Sequence, residues 1–216
     1  MLILALFSAP GAACVHIACL DLEGVLVPEI WVGLAERAGI PELRATTRDI
    51  PDYDQLMRQR LRLLHQHHLG LPDIQAVIAT LEPLPGAREF LDWLRERCQV
   101  VILSDTYYEF ALPLMRSLGY PTLLCHRLAV DGNGRVVDYR LRQKDAKREA
   151  VKAFHGLNFK VVAAGDSYND TAMLAEADAG IFYCPPENVA REFPQFPIAR
   201  NYEELKSAFT AVLARL

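Results

Sequence analysis

Short apolar runs recur along the 216-residue chain, and stretches with helical spacing separate several of them. An apolar run bounded by turn residues is typical of a strand that is buried on both faces of a parallel sheet. The runs predict strands at residues 15–20, 100–103, 122–126, 160–164 and 179–183.

The segments between these runs predict helices. Residues 87–98, 146–154 and 171–177 have apolar positions at the spacing of one helical face. The alternation of strands and helices predicts an α/β domain with a doubly wound, Rossmann-like parallel sheet. Ligands of such sheets bind beyond the carboxyl ends of the strands, so candidate site residues are expected there.

A helical insertion interrupts this alternation directly after the first strand. Residues 30–82 contain no convincing strand and predict helices at 31–38, 53–66 and 73–81. Two prolines and Gly86 then mark the return to the core. The predicted organisation is an N-terminal extension at 1–14, a core formed by 15–29 and 83–216, and a helical cap at 30–82.

Two local patterns admit more than one interpretation. Asp-Gly-Asn-Gly at 131–134 predicts the turn of a β-hairpin between residues 125–130 and 136–141. A calcium loop is the alternative, but its twelfth position would be Arg142 instead of glutamate. His65 and His68 could chelate a metal from one helix face, although a solvated surface accounts for them better because no carboxylate or cysteine completes the set.

Composition narrows the classes of protein. The chain is 51% hydrophobic with a net charge of -4, which excludes a disordered chain and disfavours nucleic acid as a partner. Five cysteines without a CxxC pair predict reduced thiols in a cytoplasmic protein. The apolar stretch within residues 1–14 lacks a positive flank and is too short to span a bilayer, so no membrane association is expected. A homodimer is left open.

Polar side chains follow three of the predicted strands. They share a position at the carboxyl end of a strand, and they are Asp21, Glu23, Ser104, Asp105, Asp166 and Asp170. In a parallel sheet these side chains meet at one edge, and carboxylates brought together favour a hard cation such as Mg²⁺. Asp21 also offers an oxygen nucleophile that can form an acyl phosphate. Each acid alone is more simply a turn or helix cap, so the prediction rests on their joint placement.

Four short motifs resemble those of the haloacid dehalogenase superfamily of phosphatases and phosphotransferases. They are Asp21-Leu22-Glu23-Gly24-Val25-Leu26, Ile102-Leu103-Ser104-Asp105, Lys144, and Gly165-Asp166-Ser167-Tyr168-Asn169-Asp170. The resemblance implies that Asp21 attacks phosphorus and that Glu23 acts as general acid and then as base. It implies that Mg²⁺ is held by Asp21, the Glu23 carbonyl, Asp166 and Asp170, and that Ser104, Asp105 and Lys144 bind phosphate. Without the resemblance, Lys144 is a charged residue at the start of a helix.

The helical cap resembles that of the phosphoserine phosphatase branch of this superfamily. The resemblance implies that Glu29 holds the substrate's amino group, that Arg60 holds its carboxylate, and that Asn169 also binds substrate. A zwitterion needs one anion and one bidentate cation, which Glu29 and Arg60 supply. A helix start and a surface rich in arginine would also explain these two residues.

Four segments resemble a bifunctional branch whose members also pass phosphate to homoserine: ACLDLEGVLVPEIW, TTRDIPDYD, LSDTYYEF and AAGDSYND. Glu23 stands where most phosphatases of the superfamily have aspartate, and its side chain is one methylene longer. The prediction is a Mg²⁺-dependent phosphoserine phosphatase that also uses homoserine as an acceptor. The alternatives are a phosphatase of another small phosphomonoester, such as a nucleotide or sugar phosphate, and a binding module without turnover.

Overall fold

The computed structural model describes residues 15–46, 49–50 and 52–216, so the predicted extension at 1–14 lies outside the described residues. The elements are, in order, β1 (Val15–Leu20), α1 (Ile30–Ala38), a 3-10 turn (Pro41–Arg44), α2 (Tyr53–Gln66), α3 (Leu71–Ile78), α4 (Ala87–Arg95), β2 (Gln99–Tyr107), α5 (Tyr108–Ser117), β3 (Thr122–Val130), β4 (Val136–Arg140), α6 (Ala146–Gly156), β5 (Phe159–Gly165), a second 3-10 turn (Tyr168–Asp170), α7 (Thr171–Glu176), β6 (Ala179–Tyr183), α8 (Glu187–Glu192), β7 (Ile198–Ala199) and α9 (Tyr202–Leu213).

The sheet has seven strands in the order β4-β3-β2-β1-β5-β6-β7, which places β1 at its centre. Leu20 at the end of β1 pairs with Ile102 on one side and with Ala164 on the other. All pairings are parallel except that of β4 with β3. The predicted α/β fold with a doubly wound sheet is therefore confirmed.

Alternate residues of β1 point into two apolar layers. Ala18 and Leu20 belong to one hydrophobic cluster, while Ile17 and Cys19 belong to a second cluster on the opposite face. Each of these side chains is 3% exposed or less. Burial on both faces explains why the central strand is a continuous apolar run in the sequence.

The helices between β1 and α4 share a hydrophobic cluster with one face of the sheet. Ile74 and Ile78 of α3 belong to the hydrophobic cluster that contains Leu20. The Gln75 side-chain amide also donates to the Glu109 carbonyl of α5 at 2.8 Å. Within the described part of the chain, no helix is both long and apolar enough to cross a membrane.

The predicted β-hairpin forms from β3 and β4. The Asp131 carboxylate accepts the backbone N–H groups of Asn133 and Arg135, so it closes the turn. The Leu71 N–H donates to the Gly134 carbonyl at 2.7 Å, which ties the tip of the hairpin to α3. The turn interpretation is therefore supported by the hydrogen bonds that Asp131 makes.

Candidate active site

Three carboxylates meet at the carboxyl edge of the sheet. The Asp21 N–H donates to the Ala164 carbonyl of β5 at 2.9 Å, which fixes the end of β1 against its neighbour. Asp166 follows β5, and Asp170 ends the 3-10 turn behind it. One carboxylate oxygen of each lies within 4.8 Å of the others. Among the described residues, this is the only cluster of three or more acidic, histidine or cysteine side chains with that proximity.

Two glycines make this crowding sterically feasible. Gly24 has φ of 77°, and a Cβ atom there would lie 2.6 Å from the Asp166 Cγ. A Cβ atom on Gly165 would overlap the Asp170 carboxylate. Asp170 folds back over this loop and accepts the N–H groups of Asp166 at 2.9 Å and Ser167 at 3.1 Å. The loop after β5 is thus ordered around a buried carboxylate.

Lys147 of α6 supplies positive charge to these carboxylates. Its Nζ lies 2.7 Å from Asp170 Oδ1, 2.9 Å from Asp21 Oδ1 and 3.6 Å from Asp105 Oδ2. The lysine side chain is only 3% exposed. Because a buried ammonium is costly unless it is paired, this residue is held in place by the same carboxylates that it neutralises.

Burial and mutual repulsion raise the pKa values of two of these carboxylates, since three carboxylates share one ammonium group. Burial, and then the charge of Asp170, raise the pKa of Asp21 well above its usual value, although Lys147 opposes the shift. Burial and Asp170 also raise the pKa of Asp166 to about 7. A cation with oxygen ligands would relieve this repulsion, so the donor set is suited to a metal ion.

Ser104 lies where the pairing of β2 is interrupted. Leu103 and Tyr107 pair with residues of β3 that are only two positions apart, so three residues of β2 stand opposite one of β3. Ser104 is 3% exposed, and its Oγ accepts the Thr106 N–H at 3.2 Å. The hydroxyl proton of Ser104 is therefore free to be donated elsewhere.

Asp105 joins three separate parts of the site. It accepts the Asn169 amide at 2.9 Å, and its Oδ1 lies 3.5 Å from His126 Nε2. His126 Nδ1 accepts the Arg142 N–H at 3.0 Å, so the neutral ring carries its proton on Nε2, facing Asp105. Although burial opposes it, Lys147 and then His126 and Asn169 hold the pKa of Asp105 well below its usual range.

Glu23 faces the amino end of α1. Its Oε2 accepts the Ile30 N–H at 2.9 Å. Burial, and then the charge of Glu29, raise the pKa of Glu23 to about 7. A carboxyl group with this pKa can give and take a proton near neutral pH, which is what a general acid and base requires.

Arg60 and Glu29 approach the site from the inserted helices. The Arg60 side chain is buried against Trp31, with its guanidinium carbon 4.4 Å from the ring centroid, and it donates to the Ala45 carbonyl at 2.8 Å. Its Nε is buried without a hydrogen-bond partner among the described residues. Glu29 is exposed before α1, and its charge acts on Glu23. The charges of both predicted recognition residues therefore act on the Glu23 carboxyl group.

A family model described as haloacid dehalogenase-like hydrolase matches residues 15–178, which contain all of the side chains described above. The chain belongs to the haloacid dehalogenase-like hydrolases. Two curated relatives share 67% identity with it. One is the phosphoserine phosphatase of Pseudomonas syringae pv. tomato, aligned over 94% of this chain and 86% of the relative. The other is phosphoserine phosphatase ThrH of Pseudomonas aeruginosa, aligned over 93% of this chain and 98% of the relative.

Solved structures support the fold of this haloacid dehalogenase-like hydrolase. A phosphoserine phosphatase crystallised in its apo form superposes with a TM-score of 0.74, covering 89% of this chain and 98% of the other at 23% identity. A phosphoserine phosphatase from T. onnurineus superposes with a TM-score of 0.70, covering 94% and 96% at 24% identity. At these identities the likeness concerns the fold alone.

The lysine that contacts the carboxylates is Lys147, whereas the sequence analysis predicted Lys144 for phosphate binding. Lys144 is exposed in the loop before α6, and the next residue, Asp145, has φ of 52°. The helix begins at Ala146, so Lys147 lies in its first turn on the same face as buried Val151. That spacing of four residues from an apolar position was the available signal in the sequence.

The other predicted site residues come together, with one change of interpretation. Asp21, Asp166 and Asp170 form the carboxylate cluster at the edge of the sheet, while Glu23 follows β1 and Ser104 lies in the bulge of the neighbouring β2. The Asp105 side chain does not suit direct phosphate binding, because its carboxylate already accepts a hydrogen bond from Asn169, lies near the Lys147 ammonium and carries the same sign of charge as phosphate.

His126 was not anticipated as part of the site. Its position on β3, within an apolar run, resembles an ordinary core residue, and only the pairing of β3 with β2 brings it to Asp105. His65 and His68 instead line a half-open cavity of about 980 Å³ between α2 and the hairpin. Both are exposed, as the solvated-surface interpretation predicts.

Proposed function

We propose that this hydrolase is a Mg²⁺-dependent phosphoserine phosphatase that works through a phosphate on Asp21. The observation that carries the proposal is the position of Asp21 between the Lys147 ammonium and two further carboxylates, in a chain that is 67% identical to two curated phosphoserine phosphatases. Bound by Asp21, Asp166 and Asp170 and by the Glu23 carbonyl, Mg²⁺ would neutralise charge on the transferring phosphoryl group.

Asp21 is oriented as a nucleophile by its own hydrogen bonds. Its Oδ1 accepts the Leu22 N–H at 2.7 Å and contacts Lys147 at 2.9 Å. Oδ2 accepts no hydrogen bond from the part of the chain that the structure describes. This oxygen is therefore available to attack phosphorus, while Lys147 and the Ser104 hydroxyl stabilise charge on the phosphoryl oxygens.

Glu23 supplies and then recovers one proton. In the first step the Asp21 oxygen bonds to phosphorus, the bond from phosphorus to the serine oxygen breaks, and Glu23 protonates the departing oxygen. In the second step water attacks the phosphorus, its proton passes to Glu23, and the bond to Asp21 breaks to release phosphate. A pKa near 7 allows Glu23 to act in both directions.

Residues 30–82 act, in this proposal, as a cap that recognises the amino acid. Arg60 is held by Trp31 and Ala45 with its Nε unpaired among the described residues, so it can receive the serine carboxylate. Glu29 would hold the ammonium group, because its own carboxylate is exposed beside Glu23. Asn169, which was predicted to bind substrate, already donates its side-chain amide to Asp105.

The test of this function is phosphate release from phosphoserine in Mg²⁺ and in excess chelator. We expect turnover in Mg²⁺, loss of turnover in chelator, and a phosphorylated Asp21 in rapidly quenched enzyme analysed by mass spectrometry. Asp21→Asn keeps the shape and removes the nucleophile, so its kcat should fall by orders of magnitude. Phosphate on a different residue, or full turnover in chelator, would overturn the proposal.

Homoserine is a second acceptor in this proposal. The four segments that resemble the bifunctional branch support it, and so does the longer Glu23 side chain, which reaches past the position of an aspartate. Homoserine exceeds serine by one methylene, so Arg60 and Glu29 could hold either amino acid while its hydroxyl replaces water. ³¹P NMR of phosphoserine with millimolar homoserine should show phosphohomoserine at the expense of inorganic phosphate. Unchanged phosphate release without phosphohomoserine would mean that water is the sole acceptor.

A further inference from the structure

A pair of tyrosine hydroxyls joins the inserted helices to the sheet beside the site. Tyr53 lies in the first turn of α2, and Tyr107 is the last residue of β2. Their hydroxyl oxygens are 2.7 Å apart. Tyr107 is 1% exposed and packs edge-on against Phe110, with ring centroids 5.8 Å apart, so its hydroxyl has a fixed position.

The pair has one proton more than it uses internally. Two hydroxyl groups carry two protons, and only one of them lies between the two oxygens. No acceptor for the second proton is found among the described residues of the chain. Because Tyr107 is fully buried and Tyr53 is only partly buried, the consistent arrangement has Tyr107 donating to Tyr53, and Tyr53 donating outward.

The groups around Tyr53 are those of the site. Arg60, Glu23 and Asp105 all act on the Tyr53 hydroxyl electrostatically. Burial is the main cause that raises the pKa of Tyr53 to about 12, so the hydroxyl keeps its proton at neutral pH. The buried Arg60 Nε likewise has a proton and no partner within the described chain.

Arg60 and Tyr53 lie on one helix, act on each other electrostatically, and each offer a donor without a partner among the described residues, so an acceptor with two oxygens could satisfy both. A carboxylate meets this requirement, since one oxygen can take the Arg60 Nε–H and the other the Tyr53 O–H. An ammonium group cannot, because it has no lone pair to accept with. The chemical class that complements this corner is therefore a small carboxylate.

We propose that Tyr53, anchored by Tyr107, donates a hydrogen bond to the carboxylate of the amino-acid substrate alongside Arg60. This inference rests on the proposed function and specifies how the substrate is selected. Because Tyr53 belongs to α2 and Tyr107 to β2, binding of the carboxylate and contact of the inserted helices with the sheet become coupled through one hydroxyl pair.

Tyr53→Phe and Tyr107→Phe remove only the two hydroxyls, and Tyr139→Phe is the matched control. The Tyr139 hydroxyl also binds α2, through Asp54 at 2.6 Å, but it lies on the hairpin. The substrates are phosphoserine and O-phosphoethanolamine, which has the same amine and phosphate but no carboxylate. Each variant is checked for wild-type circular dichroism and melting before the kinetics are compared.

We expect Tyr53→Phe to raise the KM for phosphoserine by roughly 10- to 100-fold, the loss typical of a hydrogen bond to a charged group. Its kcat/KM on O-phosphoethanolamine should change less than about threefold. Tyr107→Phe should show the same preference with a smaller loss of roughly 3- to 10-fold, because Tyr53 keeps its proton but loses its anchor. Tyr139→Phe should leave the ratio of the two substrates unchanged.

The outcomes separate this inference from the proposed function. If the wild-type enzyme does not release phosphate from phosphoserine in Mg²⁺, the proposed function itself is wrong. If it does, and Tyr53→Phe loses both substrates equally or neither, the hydroxyl is structural and the inference is overturned. Should Tyr53→Phe fail to fold, Tyr107→Phe decides by the same ratio, and equal losses on both substrates again overturn the inference.

Discussion

Lys147→Met removes the cation that contacts three carboxylates and keeps an unbranched side chain of similar length. The change deletes contacts of 2.7 Å to Asp170 and 2.9 Å to Asp21, both buried. Removing one partner of a buried, hydrogen-bonded ion pair costs about 3–5 kcal/mol of stability. We expect about 3 kcal/mol in the absence of metal, at the low end of that range. The raised pKa of Asp21 lets that carboxyl take up a proton in compensation.

The same change should also lower the rate of turnover. If Lys147 stabilises charge on the transferring phosphoryl group, its loss should lower kcat by about 10²–10³, as for removal of one donor from an oxyanion site. The stability loss should be smaller in saturating Mg²⁺ than in chelator, because the bound ion supplies part of the missing positive charge. Urea unfolding with and without Mg²⁺ measures the loss of stability, and phosphoserine turnover measures the loss of kcat.

Lys144→Met is the matched control for this reasoning. Lys144 is exposed before α6, so its replacement should change the free energy of unfolding by less than about 0.5 kcal/mol. Its kcat should stay within about threefold of wild type, since no carboxylate of the site depends on it. The reasoning is refuted if Lys144→Met loses as much activity as Lys147→Met, or if Lys147→Met keeps more than about a tenth of the wild-type kcat.

Gly24→Ala should raise the Mg²⁺ concentration for half-maximal activity at least about tenfold, because the added Cβ displaces the Asp166 carboxylate. Gly39→Ala, at φ of 69° with nothing within 4 Å of its added Cβ, should lose only about 1–2 kcal/mol of stability. An equal Mg²⁺ requirement in both variants would contradict the first expectation. Although burial opposes it, the Lys160 ammonium helps to lower the pKa of Asp178 to about 2, so this carboxylate stabilises the fold above its unfolded pKa. Discounted for solvent at the exposed lysine, Asp178→Asn should cost about 1–2 kcal/mol at pH 6, and that cost should shrink towards pH 2. A difference in urea unfolding that stays constant down to pH 2.5 would contradict it.

The buried strands were predictable because their position in the sheet dictates their composition. The predicted ranges 15–20 and 179–183 match β1 and β6 residue for residue. Apolar clusters cover both faces of these strands, with Leu20 and Ile181 in one cluster and Cys19 and Phe182 in the other, so residues pointing to either face are apolar. The polar residue that follows β1 is also the first residue of the site, which is why its end was clear in the sequence.

Elements that depend on tertiary context were less predictable. β2 runs to Tyr107, beyond the predicted end at 103, because the polar residues of its bulge interrupt the apolar run. The helix α5 contains Pro113, which a sequence pattern treats as a helix breaker. α3 begins at Leu71, earlier than the predicted 73, because Pro72 suits the first turn and Asp73 accepts the Gly70 N–H at 2.9 Å.

Asp105 shows why motifs alone could not give the whole site. Its carboxylate accepts a hydrogen bond from Asn169 after β5, faces the Nε2 proton of His126 on β3 and lies 3.6 Å from the Lys147 ammonium of α6. These partners are far apart in sequence, and each has an ordinary local explanation as a turn, core or helix residue. Only the strand order β3-β2-β1-β5 brings them to one point. One negative charge that does not suit phosphate binding therefore connects Lys147, which contacts Asp21, with His126 of β3 and Asn169 of the loop after β5, and such a role is visible only once the fold has assembled these partners.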